Sequence, residues 1–239
     1  YKMNIALILA AGSGTRMGNT SKPKQFLPIY NKPLIVHTIE AFEMHEDIDM
    51  IVVVTNESYI DSVKVWCKQY DLGKVKYVVA GGASRQISVY NGIKFLAELG
   101  VNDDDNILIH DSARPLISQS IISANIDSCN KYGAVDTVIP CSDTIIKSLD
   151  GETITEIQKR SEQYQGQTPQ SFKFKIIKEA HDYANATNNT ETTDDCRLVI
   201  NIGKEVHLVQ GSKLNFKITT FDDLMILKAL LKIGKSEVI

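Results

Sequence analysis

Two textures alternate along the chain. Short runs of mostly apolar, often β-branched residues occupy 4–10, 50–55, 75–79, 106–110, 134–139 and 205–209. Between them lie longer stretches whose apolar positions recur at helical spacing, over 33–42, 59–70, 85–99, 118–132, 174–184 and 221–233. A near-continuous apolar run offers no polar side to water, so each predicts a strand covered on both faces, as in a mostly parallel sheet. The longer stretches predict helices. Pro33 suits a first helical turn, where its missing N–H is not needed, and Asp222 and Asp223 suit a helix start through the dipole. Strand and helix in alternation predict an α/β fold, a doubly wound, mostly parallel, Rossmann-like sheet. The 239 residues are read as a single domain, 1–239.

One segment leaves this rhythm. Within 140–167, two β-prone stretches flank Asp150-Gly151, which predicts a protruding β-hairpin arm. Such an arm either lies in solvent or pairs with a second subunit. The polar stretch 185–193 predicts a loop.

Composition narrows the class. Apolar residues make up 43% of the chain and the net charge is −3. There is no apolar run of about 18 residues to suggest a membrane span, and the opening residues lack the pattern of a secretory leader. Cys67, Cys129, Cys141 and Cys196 form no C-x-x-C pair, so they read as reduced thiols of a cytoplasmic protein. Without a basic block, nucleic acid is not an expected partner, and any cationic site must be local.

The chemistry begins where the first run ends, at Ala10-Ala11-Gly12-Ser13-Gly14-Thr15-Arg16-Met17-Gly18. A glycine-rich turn at the carboxyl end of a strand gathers backbone N–H groups around an anion. A dinucleotide site requires G-x-G-x-x-G, but the third glycine here comes one residue late and the second strand ends at Thr55 without a ribose-binding acid. A P-loop requires G-x-x-x-x-G-K-[ST], and Gly18 is followed by Asn19. What remains is a turn with two cations, Arg16 and Lys24, suited to a triphosphate and to the pyrophosphate that leaves it. The bland alternatives are a plain strand-to-helix turn and a solvated Lys22-Pro23-Lys24 run. Further on, Gly81-Gly82 follows the third run, and Asp111 closes the fourth, where open α/β sheets bind ligands. Asp111 and Arg114 also read as a structural ion pair, and His110 reads as a packed residue.

Five ordered motifs carry a resemblance over essentially the whole length: A-A-G-S-G-T-R-M-G…P-K-Q, A-G-G-A-S-R…S, H-D-S-A-R-P, D-T…R…T-P-Q-S-F and F-K-I-T-T. The chain resembles the cytidylyltransferases that form CDP-polyols, the 2-C-methyl-D-erythritol 4-phosphate and ribitol-5-phosphate enzymes. The resemblance implies transfer of CMP from CTP to a polyol phosphate with release of pyrophosphate, in a homodimer whose β-arm reaches the neighbouring site. It implies CTP contacts from Ala10, Ala11, Gly12, Gly14, Gly82, Ala83, Ser88 and Asp111. Many relatives carry an acid or polar residue where Ala83 stands, so contacts there would run through the backbone. It implies catalytic roles for Arg16, Lys24 and Lys217, polyol-phosphate contacts from Arg114, Thr144, Arg160 and Thr193, and Mg²⁺ at Asp111. Tyr164-Gln165-Gly166-Gln167, Ala134–Val138 and Thr193–Arg197 lean toward the ribitol enzymes. Ala10-Ala11 and Ser112-Ala113-Arg114 lean toward the methylerythritol enzymes. The expected acceptor is ribitol 5-phosphate, with methylerythritol phosphate as the alternative. A non-catalytic nucleotide-binding protein is the alternative from another class; it would be expected to have lost one of Arg16, Lys24, Arg160 or Lys217.

Overall fold

The computed structural model describes residues 1–13 and 22–236. The elements run β1 (Asn4–Ala10), a 3₁₀ turn at Lys24–Phe26, β2 (Pro28–Ile29), β3 (Lys32–Pro33), α1 (Leu34–Glu43), β4 (Met50–Thr55), α2 (Ile60–Gln69), β5 (Val75–Ala80), α3 (Arg85–Glu98) and β6 (Asn106–Asp111). They continue with α4 (Gln119–Tyr132), β7 (Ala134–Pro140), β8 (Ile146–Lys147), β9 (Glu156–Ile157), β10 (Tyr164–Lys173), α5 (Phe174–Ala186), α6 (Asp195–Asn201), β11 (His207–Gln210) and α7 (Phe221–Ser236). Seven strands form the central sheet in the order β11-β7-β10-β6-β1-β4-β5. Only β10 runs antiparallel to its neighbours. This is the mostly parallel, Rossmann-like α/β sandwich that the alternation predicts.

The apolar runs are continuous because successive residues enter opposite cores. Ile5, Leu7, Leu9, Val52, Val54, Ile107 and Ile109 pack toward α3, α5 and α6. Ala6, Ile8, Ala10, Ile51, Val53 and Leu108 pack toward α1, α2 and α4. A strand with both faces buried loses most of its apolar area to water exclusion, at about 25 cal/mol per Å². The six predicted strands and six predicted helices are all present, with ends shifted by up to three residues. Pro33 is a correction: it ends β3, paired with Pro28, and stands before α1 as its N-cap at φ −55°, ψ 141°. Asp223 does start α7 as expected, its carboxylate accepting the N–H groups of Thr219 and Thr220 at 2.8 Å each.

Four elements lie outside those predicted: the two-residue strands β2 and β3, α6 and β10. α6 is capped by Asp194, whose carboxylate accepts the N–H groups of Cys196 and Arg197. β10 is polar, yet most of it is buried, because its side chains bond inward. Ser171 donates to Asn125 (2.8 Å), Asn125 donates to Thr137 (2.9 Å), and Thr137 donates to the Pro169 carbonyl (2.6 Å). A satisfied polar network can fill a core position that an apolar run would otherwise mark.

The arm leaves the sheet after Pro140 and returns at Tyr164, which pairs with it. Its hairpin is short: Ile146 pairs with Ile157 and Lys147 with Glu156. The turn is held by Asp150, which accepts the N–H groups of Glu152 and Thr153 and the hydroxyls of Thr153 and Ser148, while Gly151 takes φ +77°. Ile146, Leu149, Ile154 and Ile157 are all more than half exposed.

Candidate active site

A cleft of about 520 Å³ opens at the carboxyl ends of β1, β4 and β6. Its floor is the first turn, Ala10 to Ser13. Gln25, almost wholly buried, fixes that floor by donating to the carbonyls of Ala10 and Gly12, both at 2.8 Å. The same 3₁₀ turn carries Lys24 to the cleft wall and anchors Phe26 against the Tyr59 ring at 4.2 Å. Gly14 and Arg16 lie outside the described residues.

The opposite wall is Gly82 to Arg85. Both glycines of the pair are required by close approach. A Cβ on Gly81 would stand 2.5 Å from that of Ala11, and one on Gly82 would stand 2.2 Å from Ile87 Cγ2. Ser88 accepts the Gly82 N–H at 3.0 Å, so it shapes the wall as well as lining it. Ala83 is exposed on the same wall.

Asp111 ends β6 at the centre of a cationic ring. Lys217 Nζ lies 3.0 Å from one carboxylate oxygen and Arg114 Nε 3.7 Å from the same one, while Arg85 Nε stands 3.6 Å from the other. Burial raises the Asp111 pKa, but Lys217, Arg85 and Arg114 together more than offset it and hold the carboxyl well below the usual range. The carboxylate is therefore ionised, and neither arginine sits at hydrogen-bonding distance from it. A hard cation such as magnesium can take one carboxylate from the protein and the rest of its ligands from phosphates and water, so Asp111 is the residue here that could hold one, in exchange for Lys217. Among the described residues no group of three or more metal-ligating side chains is present.

Arg85 is the residue that sequence reasoning missed, although it stands inside a quoted motif. Its Nη1 meets Asp195 at 2.8 Å, and Asp195 in turn meets His181 Nε2 at 2.9 Å. One signal was available: a cation in the first turn of a helix faces the wrong end of the dipole, so it needs carboxylate partners elsewhere. His110 is structural, as expected. It is buried between Thr168 and the Arg114 carbonyl against the Phe42 ring, and burial lowers its pKa to about 4.

A second recess of about 390 Å³ adjoins the first, lined by Arg114, Gln165, Gly166, Gln167, Lys213 and Phe216 among others. Lys217 lines both recesses. Nine of the residues picked from sequence therefore gather in one cleft: Ala10, Ala11, Gly12, Lys24, Gly82, Ala83, Ser88, Asp111 and Lys217. Arg114 stands beside them in the second recess. Thr144 and Arg160 do not line either recess. They are exposed at the root of the arm, where Arg160 Nη1 donates to the Ser142 carbonyl at 3.3 Å. Thr193 is exposed just before α6.

A glycine turn with a lysine on its wall, facing a carboxylate ringed by cations at the carboxyl edge of an α/β sheet, suits a phosphate-rich ligand such as a nucleotide. The profile of the 2-C-methyl-D-erythritol 4-phosphate cytidylyltransferase family matches residues 4–233, and the chain belongs to that family. It is thus a cytidylyltransferase, acting on CTP and a sugar phosphate. Among solved structures it is similar to a 4-diphosphocytidyl-2C-methyl-D-erythritol synthase at 31% identity and TM-score 0.81, over 97% of this chain and 99% of that one. The synthase from Anaerococcus prevotii DSM 20548 matches at 28% identity and TM-score 0.81, over 97% of this chain and 96% of that one. The cytidylyltransferase from Thermus thermophilus matches at 29% identity and TM-score 0.76, over 96% and 100% of the two chains. All three neighbours are methylerythritol enzymes by name, so the lean toward ribitol enzymes drawn from the sequence gains no support from them. Among the described residues no helix is long and apolar enough to cross a membrane.

Proposed function

We propose that the chain transfers CMP from CTP to 2-C-methyl-D-erythritol 4-phosphate, giving the CDP-polyol and pyrophosphate. The supporting observation is the position of Lys217, which lines both the cleft beneath the glycine turn and the Arg114 recess. A cation at that junction neutralises two anions that must approach each other. The acceptor's phosphate oxygen attacks the α-phosphorus of CTP, and the bond to the β-phosphate oxygen breaks. A phosphate monoester is largely dianionic at neutral pH, with its second pKa near about 6, so no general base is required. The barrier is charge repulsion, and the protein's work is positioning and neutralisation.

In this reading Ala10, Ala11, Gly12 and Gly14 cradle the triphosphate, and Lys24 and Arg16 neutralise it. Gly82, Ala83 and Ser88 face the base. Asp111 would hold Mg²⁺, which would supply further positive charge to the triphosphate. Arg114 takes the acceptor phosphate; its Nε has no hydrogen-bond partner among the described residues. Thr193 adds a hydroxyl to that phosphate. The exposed apolar arm pairs with a second copy of the chain and delivers Thr144 and Arg160 to the neighbour's acceptor. A bidentate arginine suits that task.

The acceptor is tested by pyrophosphate release from CTP with each polyol phosphate in turn. Turnover with methylerythritol phosphate and little with ribitol 5-phosphate is the expected result; the reverse overturns the choice. Ribitol 5-phosphate is kept as the second reading because Gln165 and Gly166, part of the stretch that resembles its enzymes, line the second recess. Failure with both acceptors while CTP still binds would point to a nucleotide-binding protein without transferase activity.

A further inference from the structure

The first turn of α3 faces two ways. On one side it continues the cleft wall, capped by Ser84, which accepts the Ile87 N–H. On the other it grips the segment before α6. Gln86 is 4% exposed, donates its amide to the Asn189 carbonyl at 2.6 Å and accepts the Thr192 N–H at 2.9 Å. Its neighbour Arg85 holds Asp195 at 2.8 Å. Thr193 lies between these two clamps. A buried glutamine amide is costly unless both ends are bonded, and here both ends are spent on backbone groups of one loop.

We infer that Gln86 is a positioning residue for the acceptor, tying the nucleotide-side wall at Gly82–Arg85 to the loop that presents Thr193. The inference rests on the proposed role of Thr193 at the acceptor phosphate. An exposed loop must lose conformational freedom to hold a ligand in line, and a clamp already in place removes that cost from the binding step. The clamp couples the two sides, reciprocally as any binding linkage must. A nucleotide seated against Gly82–Arg85 stiffens the first turn of α3, and the loop from 189 to 195 is hydrogen-bonded to that turn.

The test uses Gln86→Met, which keeps length and volume but removes both hydrogen bonds, and Gln86→Glu, which keeps an oxygen for the Thr192 N–H should the first variant not fold. The acceptor KM should rise about tenfold in Gln86→Met, as for two lost neutral hydrogen bonds. The CTP Kd from calorimetry should stay within about twofold, since no contact to the nucleotide is removed. In the wild type, CTP with Mg²⁺ should slow amide hydrogen exchange over 189–195, and Gln86→Met should abolish that slowing. An equal loss of CTP affinity would mark Gln86 as merely structural and overturn the inference, as would an unchanged acceptor KM. Thr193→Ala separates the two layers. If it raises the acceptor KM while Gln86→Met does not, the inference alone fails; if it changes nothing, the acceptor role of the loop fails and the inference with it.

Discussion

The cleft and the arm are built on opposite principles. Around the cleft, polar groups are buried against specific partners: Gln25 on the first turn, Ser88 on Gly82, Asp111 within reach of three cations. On the arm, apolar side chains are exposed and polar ones hold only local turns. Leu149 is 79% exposed and Ile157 60%, although a two-residue strand pair cannot sustain itself in water. A site finished within one chain hides its polar groups. An arm that shows its apolar ones leaves apolar area for another surface to cover, which the proposed second copy would supply. The difference separates residues whose loss should act on the chain's own chemistry from residues whose loss should act through a partner.

The largest effect is expected on the cleft side. Lys217→Ala and Lys24→Ala should each lower kcat/KM about 10²–10³-fold, the usual result of deleting a cation aimed at developing charge. Steady-state pyrophosphate release checks this, with circular dichroism to show that the fold is kept. Activity within a few-fold of wild type would remove that lysine from the chemistry.

On the arm side, Arg160→Ala should raise the acceptor KM about 10–100-fold, as for a charge-assisted contact, with CTP binding unaltered. Mixing breaks or sharpens the comparison directly. Lys24→Ala and Arg160→Ala proteins, each poorly active, should regain turnover when refolded together, because one mixed dimer then contains an intact cleft served by an intact arm. Simple additivity of the two residual activities would mean that Arg160 serves its own chain.

These contrasts also explain what the sequence could and could not disclose. Runs such as 4–10 and 50–55 were legible because burial on both faces leaves polar residues only at their ends, Asn4 and Thr55. Asp111 was legible because a carboxylate closing such a run stands at the ligand-binding edge of the sheet. β10 was not, because Gln170, Ser171 and Thr168 are buried by hydrogen bonds and look like a surface loop in one dimension. Arg85 was hidden for a related reason: its partners Asp111 and Asp195 are 26 and 110 positions away, and only the fold brings them together. The proposed roles of Thr144 and Arg160 come only through resemblance, since neither lines either of the two recesses described above.

A milder prediction concerns the arm's surface. Leu149→Asp with Ile157→Asp should weaken self-association about tenfold or more, because a charge replaces apolar area at a proposed contact. Sedimentation velocity over a concentration series would show it as a shift toward monomer, while melting of the monomer fold should be nearly unchanged. An unaltered distribution would place the arm in solvent.

The smallest effect is expected in stability and returns to the buried side. Asp136 shares the amide of Gln170 with Asp194, each at 3.2 Å. Burial raises its pKa to about 7, with Asp194 adding to the rise and Gln170 and Arg114 opposing it. The folded pKa lies above the unfolded one, so the fold favours the protonated form. The stabilisation this confers is fully present below about pH 4 and is lost as pH climbs toward about 7, where the carboxyl must ionise in place. Asn cannot ionise and so avoids that loss. Asp136→Asn should therefore melt like wild type near pH 4, draw ahead as pH rises, and keep a constant lead of a few degrees above about pH 7. A lead that shrinks with rising pH would mean that Asp136 is ionised and stabilised in the native state, with Arg114 rather than burial deciding its charge.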